Sequence, residues 1–289
     1  MCGLQSGNLL QAVTRSRCWW RRMCESHLMS AQIAPTHRRR PLPSRDLWLR
    51  SVVIGAVLLA SGLVLALIVA RNRTAMNDND LPLNTRIHEF GLDHGFLLQI
   101  SRVVSWFGSG SHTVPTVLVF IAILLVFRRW RWALYLAASA ELGLLISRLL
   151  KAGVARSRPP WVNFSGPELG TSFPSGHTFG GITSWVAMGI VMLFILRRPS
   201  STILGSILIT IGVLNGPSRL ILGQHWVTDV AGSLLLSIGW LLIVSGVCLR
   251  LWGRDDIEAP IDVGIDPSPE EDSGGGAAAV GEIGPSHPG

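Results

Sequence analysis

Residues 171–196 read T-S-F-P-S-G-H-T-F-G-G-I-T-S-W-V-A-M-G-I-V-M-L-F-I-L, a polar turn that runs straight into an apolar stretch. A bilayer core takes about 20 apolar residues per helix, so 177–196 has the length of a membrane crossing. Pro174 and Gly176 suffice to make the turn. His177, placed where the apolar run starts, is not needed for a turn and calls for a separate reason.

Outward from this stretch, hydropathy marks five more runs, giving six in all: roughly 48–70, 109–127, 132–150, 177–196, 202–217 and 226–249. With 48% hydrophobic residues and a mean hydropathy of +0.41, the 289-residue chain reads as an all-α, polytopic membrane protein built on a six-helix bundle. The formal charge of +7 is not a nucleic-acid signature, because of where it sits. Nine arginines precede residue 51, and others fall at Arg128, Arg129, Arg131, Arg197, Arg198, Arg250 and Arg254. Counted across six spans, all lie on one side. An excess of Arg and Lys in short loops marks the cytoplasmic side, so both termini are expected there. Contact of the basic arm with anionic lipid headgroups would add about 1 kcal/mol per residue at best.

Residues 1–47 are expected to be a disordered basic arm, with Met29 as an alternative start, and residues 251–289 a disordered tail rich in Gly, Pro and acids. The first span is expected to be retained rather than removed as a signal peptide, since it exceeds the roughly 7–15 apolar residues of a signal core. Cys2, Cys18, Cys24 and Cys248 form no disulfide framework. Cys18, Cys24 and His27 are too few for a metal site. Leu92, Phe96, Ile100, Val103 and Phe107 recur at helical spacing, so a helix there either lies along the outer membrane surface or packs over the bundle. Glu141 and Arg148, seven residues apart within the third span, are expected to form a structural ion pair, with a role in a proton or substrate path as the second reading.

Three clusters carry chemistry. Lys151 is the single lysine among 25 basic residues and opens K-A-G-V-A-R-S-R-P, closed by Arg158. An ammonium suits a point contact with phosphate, and a guanidinium a forked one. In Pro174-Ser175-Gly176-His177, Ser175 suits a helix N-cap and Gly176 lets a ligand approach the backbone. The free amides of a helix start attract an anion, and His177 is placed to give it a proton. The third cluster runs from Ser218-Arg219 to His225 and Asp229. Residues four apart share a helix face, and a carboxylate on one ring nitrogen leaves the other free to attack. Each cluster also has a plainer reading as span-flanking charge, cap or loop. Topology favours the chemical one: Lys151 ends the third span, His177 starts the fourth, and Arg219 and His225 bracket the turn into the sixth. All three meet on the non-cytoplasmic face.

Together, K-x-x-x-x-x-x-R-P, P-S-G-H and S-R-x-x-x-x-x-H-x-x-x-D resemble the three-part signature of the type 2 phosphatidic acid phosphatases, a superfamily shared with the vanadium-dependent haloperoxidases. The resemblance covers about residues 48–250. It implies a membrane lipid phosphate phosphatase acting on phosphatidic acid, phosphatidylglycerophosphate or a polyprenyl diphosphate. Carried over by position, His225 would attack phosphorus, oriented by Asp229, and His177 would protonate the leaving group. Lys151, Arg158, Ser175, Gly176 and Arg219 would bind the phosphate. The resemblance implies no metal or other cofactor, and no outward-facing carboxylate cluster offers magnesium a site. The preference for arginine over lysine points to a GC-rich, bacterial genome and thus to a plasma membrane. The alternatives are a vanadate-dependent haloperoxidase, disfavoured by six spans, and a non-catalytic lipid-phosphate transporter or scaffold, disfavoured by the complete signature.

Overall fold

The computed structural model describes residues 46–162, 171–195 and 199–252, and all regular structure among them is helical. Nearly all of the basic arm, the tail from residue 253, Met29, Cys2, Cys18, Cys24, His27 and the Arg197–Arg198 connection lie outside the described residues. In chain order the helices are α1 (Leu47–Arg71), α2 (Arg73–Asp93), α3 (Gly95–Gly108), α4 (Gly110–Val126), α5 (Trp130–Val154), α6 (Gly176–Ile195), α7 (Pro199–Ile221) and α8 (Val227–Trp252). Helix α5 contains a π-helical turn at Ala138–Leu142, and α6 contains one at Gly181–Val186.

Helices α1, α5, α6, α7 and α8 are each long and apolar enough to cross a membrane. Helix α4, at 17 residues, needs α3 to make a sixth span, and the two meet at a 52° bend. The expected amphipathic helix is therefore real, but it buries a different face. Phe96 and Val103 are exposed, as is Leu92 at the end of α2, whereas Ser101, Ser105 and Gly108 pack inward, largely against α7. Lipid solvates large apolar groups as well as a protein core does, so helix contacts in a bilayer favour small residues. The helix packs over the bundle.

The same rule explains the tightest helix pairs. Helix α1 lies against α8 so closely that a Cβ on Gly239 would stand 2.8 Å from the Gly55 carbonyl oxygen and 2.7 Å from the Leu59 nitrogen. Helices α6 and α7 meet in the same way at Gly181–Gly212 and Gly189–Gly205. Phe173, Phe179, Leu236 and Val69 fill one core beneath the polar end of the bundle, and Leu136, Met188, Val191 and Leu241 fill the other.

The ion pair expected between Glu141 and Arg148 does not form. Seven residues span two helical turns, about 10 Å along the axis, beyond the one-turn spacing at which side chains meet. Arg148 is exposed, while half-buried Glu141, in the π-helical turn, lines a cavity it shares with His177.

Replacing Gly239 by valine must push α1 off α8. The expected result is a loss of about 1–3 kcal/mol of stability, seen as a lower thermal midpoint in detergent. An unchanged midpoint would show that this contact does not govern the packing.

Candidate active site

Each signature cluster sits at a helix end, and the three ends converge. Lys151 lies in the last turn of α5, and its ammonium donates to the Thr171 carbonyl at 2.8 Å while the Thr171 hydroxyl donates back to the Lys151 carbonyl at 2.9 Å. This reciprocal pair ties the end of α5 to the strip that leads into α6. Ser175 is the N-cap of α6, its hydroxyl accepting from the Thr178 amide at 3.4 Å and the Thr178 hydroxyl at 3.0 Å. A Cβ on Gly176 would lie 3.7 Å from the Lys151 side chain, so the first amides of α6 open beside that ammonium. Arg219, buried in the last turn of α7, donates to the Ser105 hydroxyl and to Gln224 Oε1. Arg158 donates to the Gln224 carbonyl at 3.2 Å and lies 3.4 Å from His225 Nε2. Arg158 thus stands at Nε2 of the imidazole, and Lys151 and Arg219 are near enough for their charges to act on it.

His225 is not on a helix, which corrects the sequence reading. It sits in the turn before α8, two residues ahead of Val227. Gly223 makes that turn with φ +66°, and a Cβ there would stand 2.2 Å from Trp161 Nε1, so only glycine fits. The His–Asp pair nevertheless forms, because Asp229 folds back over the start of α8. Its Oδ2 accepts from the Trp226 amide at 3.0 Å and lies 3.5 Å from His225 Nδ1. Ser172 joins both, donating to Asp229 Oδ2 and standing 3.5 Å from Nδ1. Asn84 clamps the turn from α2, donating to the His225 carbonyl at 2.8 Å and accepting from the Val227 amide at 2.9 Å.

The sequence reading also missed Arg156, which has no accessible side-chain surface. Its guanidinium reaches Asp229 Oδ1 at 2.7 Å, Asp80 Oδ2 at 2.9 Å, Thr228 Oγ1 at 2.6 Å and Asn77 Oδ1 at 2.8 Å, and it lies over the Trp226 ring at 5.2 Å. Asp80 and Arg156 are 76 positions apart, which no spacing rule connects. Ser172 and Asn84 carried no motif signal either.

Burial and then the charges of Arg219, Arg158 and Lys151 hold the His225 imidazole well below its usual pKa. The ring is therefore neutral across the physiological range, with Nδ1 turned to Asp229 and Nε2 toward the cations. A neutral ring with one nitrogen oriented and the other facing an anion site can act as a nucleophile toward that anion.

A helical membrane protein with a cation-lined His–Asp site at one end of its bundle is the class these observations define. Residues 132–251 match the PAP2 superfamily. Phosphatidylglycerophosphatase B of Bacillus subtilis (strain 168) is 26% identical over 153 residues, 52% of this chain and 75% of that one. The protein of the same name from Escherichia coli (strain K12) is 34% identical over 86 residues, 30% of this chain and 32% of that one. Undecaprenyl-diphosphatase BcrC of Bacillus subtilis is 42% identical over 67 residues, 23% of this chain and 30% of that one. The crystal structure of a transmembrane PAP2-type phosphatidylglycerolphosphate phosphatase from Bacillus subtilis shares the fold with a TM-score of 0.54 at 24% identity, over 68% of this chain and 96% of that one.

Two outcomes follow from this geometry. Replacing Arg156 by methionine strands two buried carboxylates, and about 3–5 kcal/mol of stability should be lost, read as a lower thermal midpoint. In the ligand-free protein the His225 ring nitrogens should keep neutral-imidazole 15N shifts at pH values below the usual histidine pKa of about 6.5. The sign follows from linkage: a depressed histidine pKa contributes stability above about pH 6.5 that is lost as the pH falls below it. Protonation of His225 at or above about pH 6.5 would contradict the assigned surroundings.

Proposed function

We propose that the chain is a membrane lipid phosphate phosphatase working through a phosphohistidine. The observation that carries this reading is the His225 ring with Asp229 at one nitrogen and Arg158 at the other. Phosphoryl transfer asks mainly for positioning and charge stabilisation. Lys151, Arg158 and Arg219 bind the phosphate oxygens, and the amides that open α6 at Ser175 and Gly176 complete the cradle. His225 Nε2 attacks phosphorus as the bond to the leaving oxygen breaks, and His177 gives that oxygen a proton. His177 then takes a proton from water, the water oxygen bonds to phosphorus, and the nitrogen–phosphorus bond breaks to release inorganic phosphate and restore His225. No step draws on a metal.

The names of the relatives support a lipid phosphate as the substrate class, and both monoesters and diphosphates are represented among them. The arginine distribution supports an outward-facing site with both termini cytoplasmic, in a bacterial plasma membrane.

The direct experiment is phosphate release by detergent-purified protein, with EDTA present, from phosphatidic acid and a polyprenyl diphosphate. His225→Ala should lower the rate by at least ~1,000-fold while the protein stays folded, and wild-type-like turnover in that variant overturns the mechanism. His177→Ala should cost about 100-fold or more on alkyl phosphates and far less on nitrophenyl phosphate, whose leaving group needs no proton. Equal losses on both would remove His177 from the acid role.

A further inference from the structure

Helix α2 is not among the helices long and apolar enough to cross a membrane, yet it carries an ordered polar face. Asn77, Asp80, Asn84, His88 and Gly91 recur every three or four residues and so lie on one side of it. Asn77 accepts from Arg156 Nε at 2.8 Å and donates to the Ser157 hydroxyl at 3.1 Å. Asp80 accepts from Arg156 and from the Thr228 hydroxyl. His88 Nδ1 lies 3.0 Å from the Ile221 carbonyl, and its ring stacks on Trp161, whose Nε1 donates to the Gly223 carbonyl at 2.8 Å. At Gly91 a Cβ would stand 2.7 Å from the Ile221 side chain, so α2 presses directly on the end of α7. Successive turns of one helix face thus converge on the short connection that carries His225, and on the arginine that holds Asp229.

One of these contacts bears on the chemistry. The peptide between His225 and Trp226 is held from both sides: its N–H donates to Asp229 Oδ2 at 3.0 Å, and its carbonyl accepts from Asn84 Nδ2 at 2.8 Å. Asn84 Oδ1 accepts from the Val227 amide at 2.9 Å, on the next peptide, so both ends of this fully buried side chain are engaged. A peptide is planar, and this one includes the Cα of His225, so its tilt decides where the imidazole points. The distance from His225 Nδ1 to Asp229 is already 3.5 Å, and a small rotation of the plane would separate them. Misplacing a reacting group by about 1 Å can cost ~100-fold in rate.

We propose that Asn84 is a positioning residue for phosphoryl transfer, fixing the peptide that follows His225 and through it the approach of Nε2 to phosphorus. This rests on the phosphatase reading above. Asn84 touches the backbone of His225 and not its ring, so it acts through the nucleophile. It governs the step in which Nε2 bonds to phosphorus and leaves anion binding to Lys151, Arg158 and Arg219. Asn77 and Asp80 act on Arg156, which holds the other oxygen of Asp229. One face of α2 therefore serves both members of the His–Asp pair.

The test uses the full chain in detergent and whichever of phosphatidic acid and farnesyl diphosphate the wild type hydrolyses faster. Asn84→Leu keeps a branched side chain of similar size and removes both hydrogen bonds. Its kcat should fall about 100-fold, while KM and inhibition by inorganic phosphate stay within about 2-fold. Thr85→Val is the control, because the Thr85 hydroxyl donates within α2 to the Leu81 carbonyl at 2.8 Å. It should leave kcat within about 2-fold. Adding Asn84→Leu to Asp229→Asn should cost less than about 3-fold more, because both side chains act on one peptide. An unchanged kcat in Asn84→Leu overturns the inference, as does an equal loss in Thr85→Val. Losses that multiply in the double variant, or phosphate inhibition that weakens in step with kcat, reduce Asn84 to an anchor of the fold and overturn it too. Should Asn84→Leu fail to fold, Asn84→Asp carries the same comparison, since its carboxylate still accepts from the Val227 amide and has no donor for the His225 carbonyl. Turnover that survives His225→Ala ends the phosphatase reading through His225, and this inference with it. Turnover that needs His225 and is indifferent to Asn84 removes this inference alone.

Discussion

The ion pair between Arg156 and Asp229 is the contact on which the site depends. Asp229 has two jobs that compete for its oxygens: it caps the start of α8, and it must present one oxygen to His225. Arg156 takes Oδ1, leaving Oδ2 for the Trp226 amide, Ser172 and His225 Nδ1. A buried pair gains little stability when intact and costs several kcal/mol when one partner is lost, so its value lies in the geometry it enforces. The second carboxyl on Arg156, from Asp80, brings α2 into the arrangement, as does Asn84 one helical turn further on. The segment between the first two spans thereby becomes a brace for a turn more than 140 positions away.

Around this contact the bilayer decides what may pack against what. Large apolar side chains gain nothing by leaving lipid for protein, so helices meet where side chains are small. The close approaches at Gly55–Gly239, Gly181–Gly212 and Gly189–Gly205 follow. The same rule places Gly108 at the site, where a Cβ would lie 1.8 Å from Asn215 Oδ1 and 3.1 Å from the His177 ring. A bundle joined through small residues leaves room at its polar end, and that room holds the site.

These rules also explain what was legible. Most spans could be read because length and apolarity are local properties, and the observed bounds of α1, α5, α6, α7 and α8 differ from the expected ones by only a few residues, whereas the second span, expected at 109–127, takes in α3 as well. The convergence of Lys151, His177, Arg219 and His225 followed from counting crossings. The His225–Asp229 pair was found through a spacing that suits a helix, although His225 precedes the helix and a capping carboxylate makes the contact. Arg156 was hidden: it stands two residues from Arg158 in a chain that uses arginine for almost every positive charge, and its partners Asp80 and Asp229 are more than 70 positions away on either side. Only packing distinguishes a buried arginine from a flanking one. Glu141 misled for the opposite reason, since a same-face pattern with Arg148 suggested a partner that lies a full turn too far away.

His177 stands at the border of two spaces with opposite character. Below it is the enclosed, mainly apolar cavity within the bundle. Beside it is an open cleft of about 630 Å³ lined in part by His88, Arg102, Ser109, His112 and Gln224. On the proposed chemistry the two products need different exits, because inorganic phosphate is charged and strongly hydrated while the alcohol is part of a lipid. The open cleft carries polar side chains and a further cation, and it suits phosphate departing to water. An acid placed at that border gives its proton where the two products separate. On that chemistry the position of P-S-G-H at the head of a membrane helix follows from the reaction: the helix start supplies amides to the anion, and its next turns line the cavity beside His177.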